Sequence, residues 1–367
     1  MKDIETLRYQ LAFSLMPGMK CSVAKELFAR YKNIDAIFMD SDILRKIAGK
    51  REELSVRDAL KRADKEIEFM KDNEVRAYSY FDDDYPVRLK QCEDAPLILY
   101  GKGNLQLDGE RMVAVVGMRK STEYGRRFCD RLVSDMADSG GYTVVSGLAY
   151  GIDVVSHKAC LKYNVPTIGV LGHGLDNLYP SIHRSVAEFM QKNGGLVCDY
   201  PSKTNIERRN FVARNRLIAG LSDATVVVQS AKKGGSLITA GLANSYNRDV
   251  FAVPGRFNDL SSEGCNLLIR DNKAALIEDL KDLERFMSWE RKDVPKDAIQ
   301  KDLFITFTPE EEKLHQVLFN KNLYIDQICV LTGLPVNLVS ALLLDLEFKG
   351  VVISLPGKVY QWNEIRL

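Results

Sequence analysis

The sequence predicts an α/β protein: a doubly wound, mostly parallel sheet with helices on both faces, preceded by a helical segment and followed by a winged helix. Three observations carry this. First, valine-rich apolar runs from Met112 to Val116 and from Thr143 to Ser146 each open into a glycine-bearing loop and then a helical pattern. Second, similar runs recur at Thr167–Leu171, Leu196–Asp199, Ala224–Gln229 and Asp249–Val253, with helical stretches between them. Third, the last 60 or so residues read helix, turn, helix and terminal hairpin.

The order along the chain supports four segments. Residues 1–72 read as short helices, with Ile4, Leu7, Leu11 and Leu15 at helical spacing and Ser22 opening another helix. Pro17-Gly18 between them resembles the turn of a helix-hairpin-helix or SAM-like domain, which can hold a phosphate on its amides. The usual second glycine of that turn is replaced by Met19-Lys20-Cys21, so a plain helical-bundle turn is the preferred reading. Residues 73–285 form the Rossmann-like domain, with Leu97 to Tyr100 expected as a strand added at the sheet edge. The carboxylates Asp82, Asp83 and Asp84 precede Tyr85-Pro86 and read as a solvated turn rather than a metal site. Residues 286–304 are charged and weakly patterned, as expected of a linker. Residues 305–367 form the winged helix, opened by Thr308-Pro309-Glu310-Glu311, a helix-capping signal.

Composition narrows the function classes. The 367 residues are 46% apolar and 28% charged, an ordinary globular balance, and no run approaches the roughly 20 apolar residues of a membrane span. The N-terminal MKDIETLRYQ lacks an apolar signal core, so a cytoplasmic protein is expected. The seven cysteines stand singly with no CxxC pair, which argues against zinc and suits a reducing compartment. Net charge is only +1, but Lys and Arg outnumber Asp and Glu by 23 to 18 over residues 111–285 and fall short by 5 to 7 over 305–367. The winged helix is therefore expected to contact protein rather than DNA.

Right-handed crossovers place every loop that follows a parallel strand on one edge of the sheet, the edge where such folds bind ligands. Those loops are not a dinucleotide site, because G-x-G-x-x-G is absent and Gly172-His173-Gly174 is only a fragment of it; no Walker A sequence occurs. An anion site is better supported. Arg119 and Lys120 follow Gly117, and Ser121 or Thr122 can cap the next helix. Gly147 and Gly151 bracket a second loop, with Gly151 at a helix start. Gly234-Gly235-Ser236 opens a third helix behind Lys232 and Lys233. Another loop gathers Lys203, Arg208, Arg209, Arg214 and Arg216 around Phe211, and cations with an aromatic ring are what a single nucleic-acid strand requires. Asp153 and His157 lie four residues apart on one helix and are expected to pair as structural support. No catalytic residue, cofactor or metal ligand is expected. The alternative is a nucleotide hydrolase that uses the same phosphate cradle with Asp153 or Glu188 as the acid.

The motifs VAVVGMRKSTEYG, VVSGLAYGIDVVSH, GVLGHGLDNLYP, RNRLIAGLS, GGSLITAGLA, VFAVPG and GCNLLIRDNKA, in this order, resemble the DNA-processing protein A family (DprA, also called Smf). The lead-in DDDYPVRL and DAPLILYGKG fits as well, so the likeness spans nearly all of residues 75–285. The resemblance implies a non-enzymatic protein that binds and protects incoming single-stranded DNA in natural transformation. It further implies a homodimer formed through the Rossmann-like domain and loading of the RecA recombinase. The family's G-S-R-x-x-S loop falls on Gly117, Met118, Arg119 and Thr122. Its basic loop and phenylalanine fall on Arg208, Arg209 and Phe211, its R-N-R motif on Arg214, Asn215 and Arg216, and its glycine-serine helix start on Gly235 and Ser236. Methionine replaces the first serine, which removes one hydroxyl from the loop.

Overall fold

A computed structural model describes residues 4–16, 19, 21–31, 37–38, 52–289, 307–319, 321–348, 351–355 and 359–362. The chain divides into two compact units, residues 1–290 and 291–367.

The first unit opens with helices α1 (Ile4–Leu15), α2 (Cys21–Tyr31) and α3 (Glu52–Asp72). The Pro17-Gly18 turn lies outside the described residues. Strands β1 (Val75–Ser79) and β2 (Ile98–Asn104) follow, with the short helix α4 (Val87–Lys90) between them. The alternating core is then β3 (Arg111–Val116), α5 (Glu123–Ser139), β4 (Tyr142–Ser146), α6 (Ile152–Tyr163), β5 (Thr167–Val170), α7 (Arg184–Met190) and β6 (Gly194–Cys198). It continues with α8 (Arg208–Gly220), β7 (Ala224–Val227), α9 (Ser236–Ser245), β8 (Asp249–Ala252), α10 (Glu263–Arg270), β9 (Ala275–Leu276) and α11 (Leu280–Phe286).

Among the described residues these strands form one nine-stranded sheet in the order β1-β2-β6-β5-β4-β3-β7-β8-β9. The ladders from β6 to β9 are all parallel, whereas β1–β2 and β2–β6 are antiparallel. Strand β2 takes up the expected run from Ile98 onward, but it lies inside the sheet between β1 and β6 and not at the edge; the edge position belongs to β1. Two-residue periodicity splits β3 between the faces. Met112, Ala114 and Val116 pack with Leu217 and Ile218 of α8 and Ala240 and Ala243 of α9, while Val113 and Val115 pack with Leu132 of α5 and Ile152 of α6.

The N-terminal helices are not a separate body. Leu11 and Phe13 of α1 and Ala63, Ile67 and Met70 of α3 share a core with Ile98 and Tyr100 of β2 and Met190 of α7. A polar joint reinforces this. Glu66 of α3 is fully buried and accepts hydrogen bonds from the Ser202 amide and hydroxyl, both at 2.8 Å. Arg62, one turn earlier, pairs with Glu66 at 2.9 Å and donates to the Ser202 carbonyl. The Asp82–Asp84 turn is partly exposed, and Asp82 accepts from Gln10 of α1 at 2.8 Å.

The second unit carries α12 (Pro309–Leu318), β10 (Asn322–Tyr324), α13 (Ile325–Thr332), α14 (Val336–Phe348) and the hairpin β11 (Val352–Leu355) with β12 (Val359–Trp362). Thr308 and Glu311 exchange hydrogen bonds as a capping box at the start of α12. Its three strands run in the order β10-β12-β11, and Leu314, Ile328, Val339, Leu343 and Trp362 form its core. This is the expected winged helix; most of the expected linker, and residues 349–350, lie outside the described residues.

Candidate nucleic-acid interface

After β3, β4, β5 and β6 the chain steps along the sheet in one direction, then crosses back to place β7 and β8 beyond β3. The switch point lies between β3 and β7, and in doubly wound sheets the crevice outside the carboxyl ends of the strands at this point receives ligands. The loops 117–122 after β3 and 228–235 after β7 flank it.

A glutamine not singled out in the sequence fixes these two loops together. Gln229 is fully buried; its Oε1 accepts from the Thr122 amide at 3.0 Å and its Nε2 donates to Thr122 Oγ1 at 2.8 Å. Its carbonyl accepts from the Met118 amide at 2.9 Å. Thr122 is the N-cap of α5, with Oγ1 also accepting from Gly125, so its hydroxyl proton is what it can offer a ligand. Gln229 follows a valine run and carries no motif; only its position at the switch point could have marked it.

The second loop packs against the first. Gly151 has φ +81°, and a Cβ there would lie 2.1 Å from the Met118 carbonyl oxygen. Only glycine permits that approach, and the Ile152 amide returns a hydrogen bond to the same carbonyl at 3.2 Å. Gly147 is buried against the Asp153 carboxylate and the Arg214 guanidinium, either of which would be under 3 Å from a Cβ.

Several expected contacts are placed differently by the structure. Arg214 was expected to face DNA but is 4% exposed and donates to the carbonyls of Gly147 and Val170. Arg216 is turned to Asp199 and to the Asp94 carbonyl. Ser236 is buried with its hydroxyl on Ser230 Oγ at 3.0 Å. Gly117 abuts Ile152 and the Gln229 carbonyl. Asp153 and His157 do not pair as expected. His157 Nδ1 meets Thr167 Oγ1 at 2.8 Å instead, and that hydroxyl donates to the Val144 carbonyl, so the ring carries its proton on Nδ1. Burial pushes the His157 pKa down to about 3. Asp153 accepts from the Ala149 amide at 3.4 Å; burial raises its pKa, opposed by the charge of Arg214 and the loop amides. Both act as internal supports, by different bonds from those expected. The hydrolase alternative would need Asp153 free, or Glu188, which sits exposed on α7.

What remains on the rim is cationic and aromatic. Arg119, Lys120, Lys203, Arg208, Arg209, Lys232 and Lys233 are exposed; Arg209 pairs with Glu207 at 2.6 Å and Lys232 with Glu263 at 3.6 Å. Asn215 is partly exposed on α8, and Gly235 opens α9 with open space where a side chain would stand. Phe211 is partly exposed, with its ring centre 5.5 Å from that of Tyr179, itself 49% exposed. His173 fixes this pair: its Nδ1 donates to the Gly174 carbonyl and its Nε2 accepts from the Tyr179 amide. Tyr179 was missed in the sequence; its signal is an aromatic before proline in a loop of the binding edge. Among the described residues, no helix is long and apolar enough to cross a membrane.

Comparison with known proteins adds independent findings. The family model "DNA recombination-mediator protein A" matches residues 76–288, and "DprA winged helix domain" matches residues 298–358. Protein Smf of Synechocystis is 35% identical over 315 residues, covering 76% of this chain and 78% of the relative. DNA processing protein DprA of Bacillus subtilis is 39% identical over 193 residues, covering 52% of this chain and 65% of the relative. The structure of DprA from Streptococcus pneumoniae superposes with a TM-score of 0.66 at 30% identity, covering 78% of this chain and 98% of that one. DNA processing protein A from Helicobacter pylori, described for its single-stranded DNA binding mode, gives a TM-score of 0.53 at 28% identity, covering 59% of this chain and 96% of that one.

Proposed function

The chain belongs to the DNA recombination-mediator protein A family, and from that premise we propose that it is a non-enzymatic, cytoplasmic single-stranded DNA-binding protein that protects incoming DNA and loads the RecA recombinase onto it during natural transformation. It works as a homodimer joined through the Rossmann-like domain. The observation that carries the reading is the row of exposed cations, Arg119, Lys120, Lys203, Arg208, Arg209, Lys232 and Lys233, along the carboxyl edge of the parallel strands, which also presents the Phe211 and Tyr179 rings. Cations track the phosphates of a strand and ring faces stack its bases, a mode that tolerates any sequence. The single-stranded DNA binding described for the Helicobacter pylori protein is consistent with this.

On this reading Arg119, Arg208, Arg209, Lys232 and Lys233 hold phosphates. Amides at Gly117, Gly151 and Gly235, the Thr122 hydroxyl and Asn215 add polar contacts, and Phe211 stacks a base. Arg214, Arg216, Gly147 and Ser236 shape the floor beneath. The test is the salt dependence of single-strand affinity, read by fluorescence anisotropy. Arg119→Ala weakens binding and lowers the slope of log affinity against log salt by about 0.7, the contribution of one phosphate contact. An unchanged affinity and slope removes Arg119 from the site. RecA loading is tested separately, by whether the protein shortens the lag of RecA filament growth on the same strand.

A further inference from the structure

The loop 253–262 after β8 lies on the same sheet edge, beyond the cation-bearing loop 228–235, and holds an aromatic ring that the reading above does not use. Phe257 is 96% exposed. We propose that Phe257 is a second stacking platform for a nucleobase of the bound single strand, flanked by Arg256 for its phosphate; this rests on the single-strand reading of the edge.

The loop is built to hold the ring in water. Asn266 of α10 accepts from the Gly255 amide at 3.1 Å and donates to the Gly255 carbonyl at 3.0 Å. The Asp259 amide donates to the Arg256 carbonyl at 3.0 Å, closing a turn around Phe257 and Asn258. The Asp259 carboxylate accepts from the Ser261 amide at 2.9 Å and the Ser262 hydroxyl at 3.1 Å. It is thereby committed within the loop, and those bonds, the Ser261 amide first, lower its pKa. Tyr124 at the start of α5 donates to the Pro254 carbonyl at 2.8 Å, tying the loop to the rim of the crevice. These bonds hold the backbone that carries Phe257, and a phenylalanine has only two side-chain torsions to order, so stacking adds to affinity with little ordering cost.

The position suits a continuing strand. Loop 228–235 is clipped to the start of α10 by the Gly264 amide on the Ser230 carbonyl at 2.7 Å and by the Lys232–Glu263 pair. Gly172, against which Phe211 packs, follows β5; Phe257 follows β8, four strands away in the sheet order. At about 4.8 Å per strand the two rings stand roughly 19 Å apart along the edge. Between them come the loops that bear Arg119, Lys120, Lys232 and Lys233. Ring, cations, ring is the order a strand laid across the edge would need. Leu260, 77% exposed on the same loop, makes a protein surface the competing occupant.

The experiment measures binding of the full chain to a thymidine oligonucleotide of about 20 nucleotides and to an abasic strand of equal length. Phe257→Leu keeps apolar bulk and removes the π face; it is expected to weaken thymidine binding by about 5- to 150-fold and to leave abasic binding unchanged. Phe257→Trp is expected to bind as tightly as the unaltered chain, with its indole fluorescence quenched by the bound bases. If Phe257→Leu matches the unaltered chain on thymidine, or weakens both strands equally, the stacking role is overturned while the single-strand reading stands. If the unaltered chain binds neither strand, both fall.

Discussion

Removing the Glu66 carboxylate tests whether the N-terminal helices hold the loop edge proposed to face DNA in place. Glu66→Ala leaves the Ser202 amide and hydroxyl without their 2.8 Å acceptors in a buried site. Each orphaned donor costs about 1–3 kcal/mol. Arg62 is partly exposed and returns to water, so losing its ion pair adds little. The two donors together cost about 2–6 kcal/mol. Glu66→Gln keeps one carbonyl acceptor and is expected to cost about 1–2 kcal/mol. The loss falls first on loop 199–207, which leads into Arg208, Arg209 and Phe211 on α8. Hydrogen exchange read by mass spectrometry along a urea series separates this loop from the rest of the first unit. The expected result is faster exchange at Ser202 and its neighbours, a lowered unfolding midpoint for residues 52–289, and weaker single-strand binding. A Glu66→Ala protein within about 0.5 kcal/mol of the unaltered chain, the range of neutral surface changes, with loop exchange unchanged, would refute the reasoning.

Two further outcomes follow from the floor of the site. Because burial holds the His157 pKa near 3, below the ordinary 6.5, the unfolded chain takes up this proton first as pH falls. Stability from this group is therefore complete above about pH 6.5 and declines by about 1.4 kcal/mol per pH unit toward pH 3. His157→Asn, which cannot titrate, should flatten that part of a stability–pH profile, and an identical slope would show that His157 is not the group responsible. Gly151→Ala forces a side chain into φ +81° and against the Met118 carbonyl. About 1–3 kcal/mol of strain plus a displaced Arg119 loop should lower both the melting temperature and single-strand affinity, and an unshifted melting curve would refute the packing argument.

The sheet was legible because parallel strands buried on both faces read as valine runs, and the gathering of the glycine-bearing loops on one edge was legible because crossover handedness leaves little choice. The burial of Arg214 was readable and missed. Asn210, Arg214, Leu217 and Ile218 are buried at the spacing i, i+4, i+7, i+8, so Arg214 lies on the core stripe of α8 whereas Arg208 and Arg209 lie on its exposed first turn. The same logic places Glu66 inside, on the stripe of Ala59, Ala63, Ile67 and Met70. A charge on an apolar stripe signals a buried partner, but the partner, Ser202, is 136 residues away and has no local signature. Sharing a helix face brought Asp153 and His157 near each other, yet tertiary partners decided their bonds, with Thr167 on β5 taking His157. The internal position of β2 was hidden for a similar reason: strand order is set by pairing, and an antiparallel addition can receive a further strand on its free side.

The division between floor and rim carries a consequence for the charge of the site. Arg214 donates to Gly147 and Val170, carbonyls at the carboxyl ends of β4 and β5 where the parallel ladder stops. Carbonyls at such ends need donors, and a guanidinium supplies several in one plane. Burying that cation is unfavourable, and the Asp153 carboxylate, which with the guanidinium closes on Gly147, offsets part of that cost. The floor is thus close to neutral, and the positive field over the crevice comes from Arg119, Lys120, Lys203, Arg208, Arg209, Lys232 and Lys233 on the rim. Changing a rim cation alters the field and leaves the scaffold standing; changing Arg214 removes the brace under two strand ends and leaves Asp153 buried without its counter-charge. The two arginines of the R-N-R motif therefore brace the edge, and on the proposed single-strand reading Asn215, Arg119 and the basic first turn of α8 are left to meet the ligand.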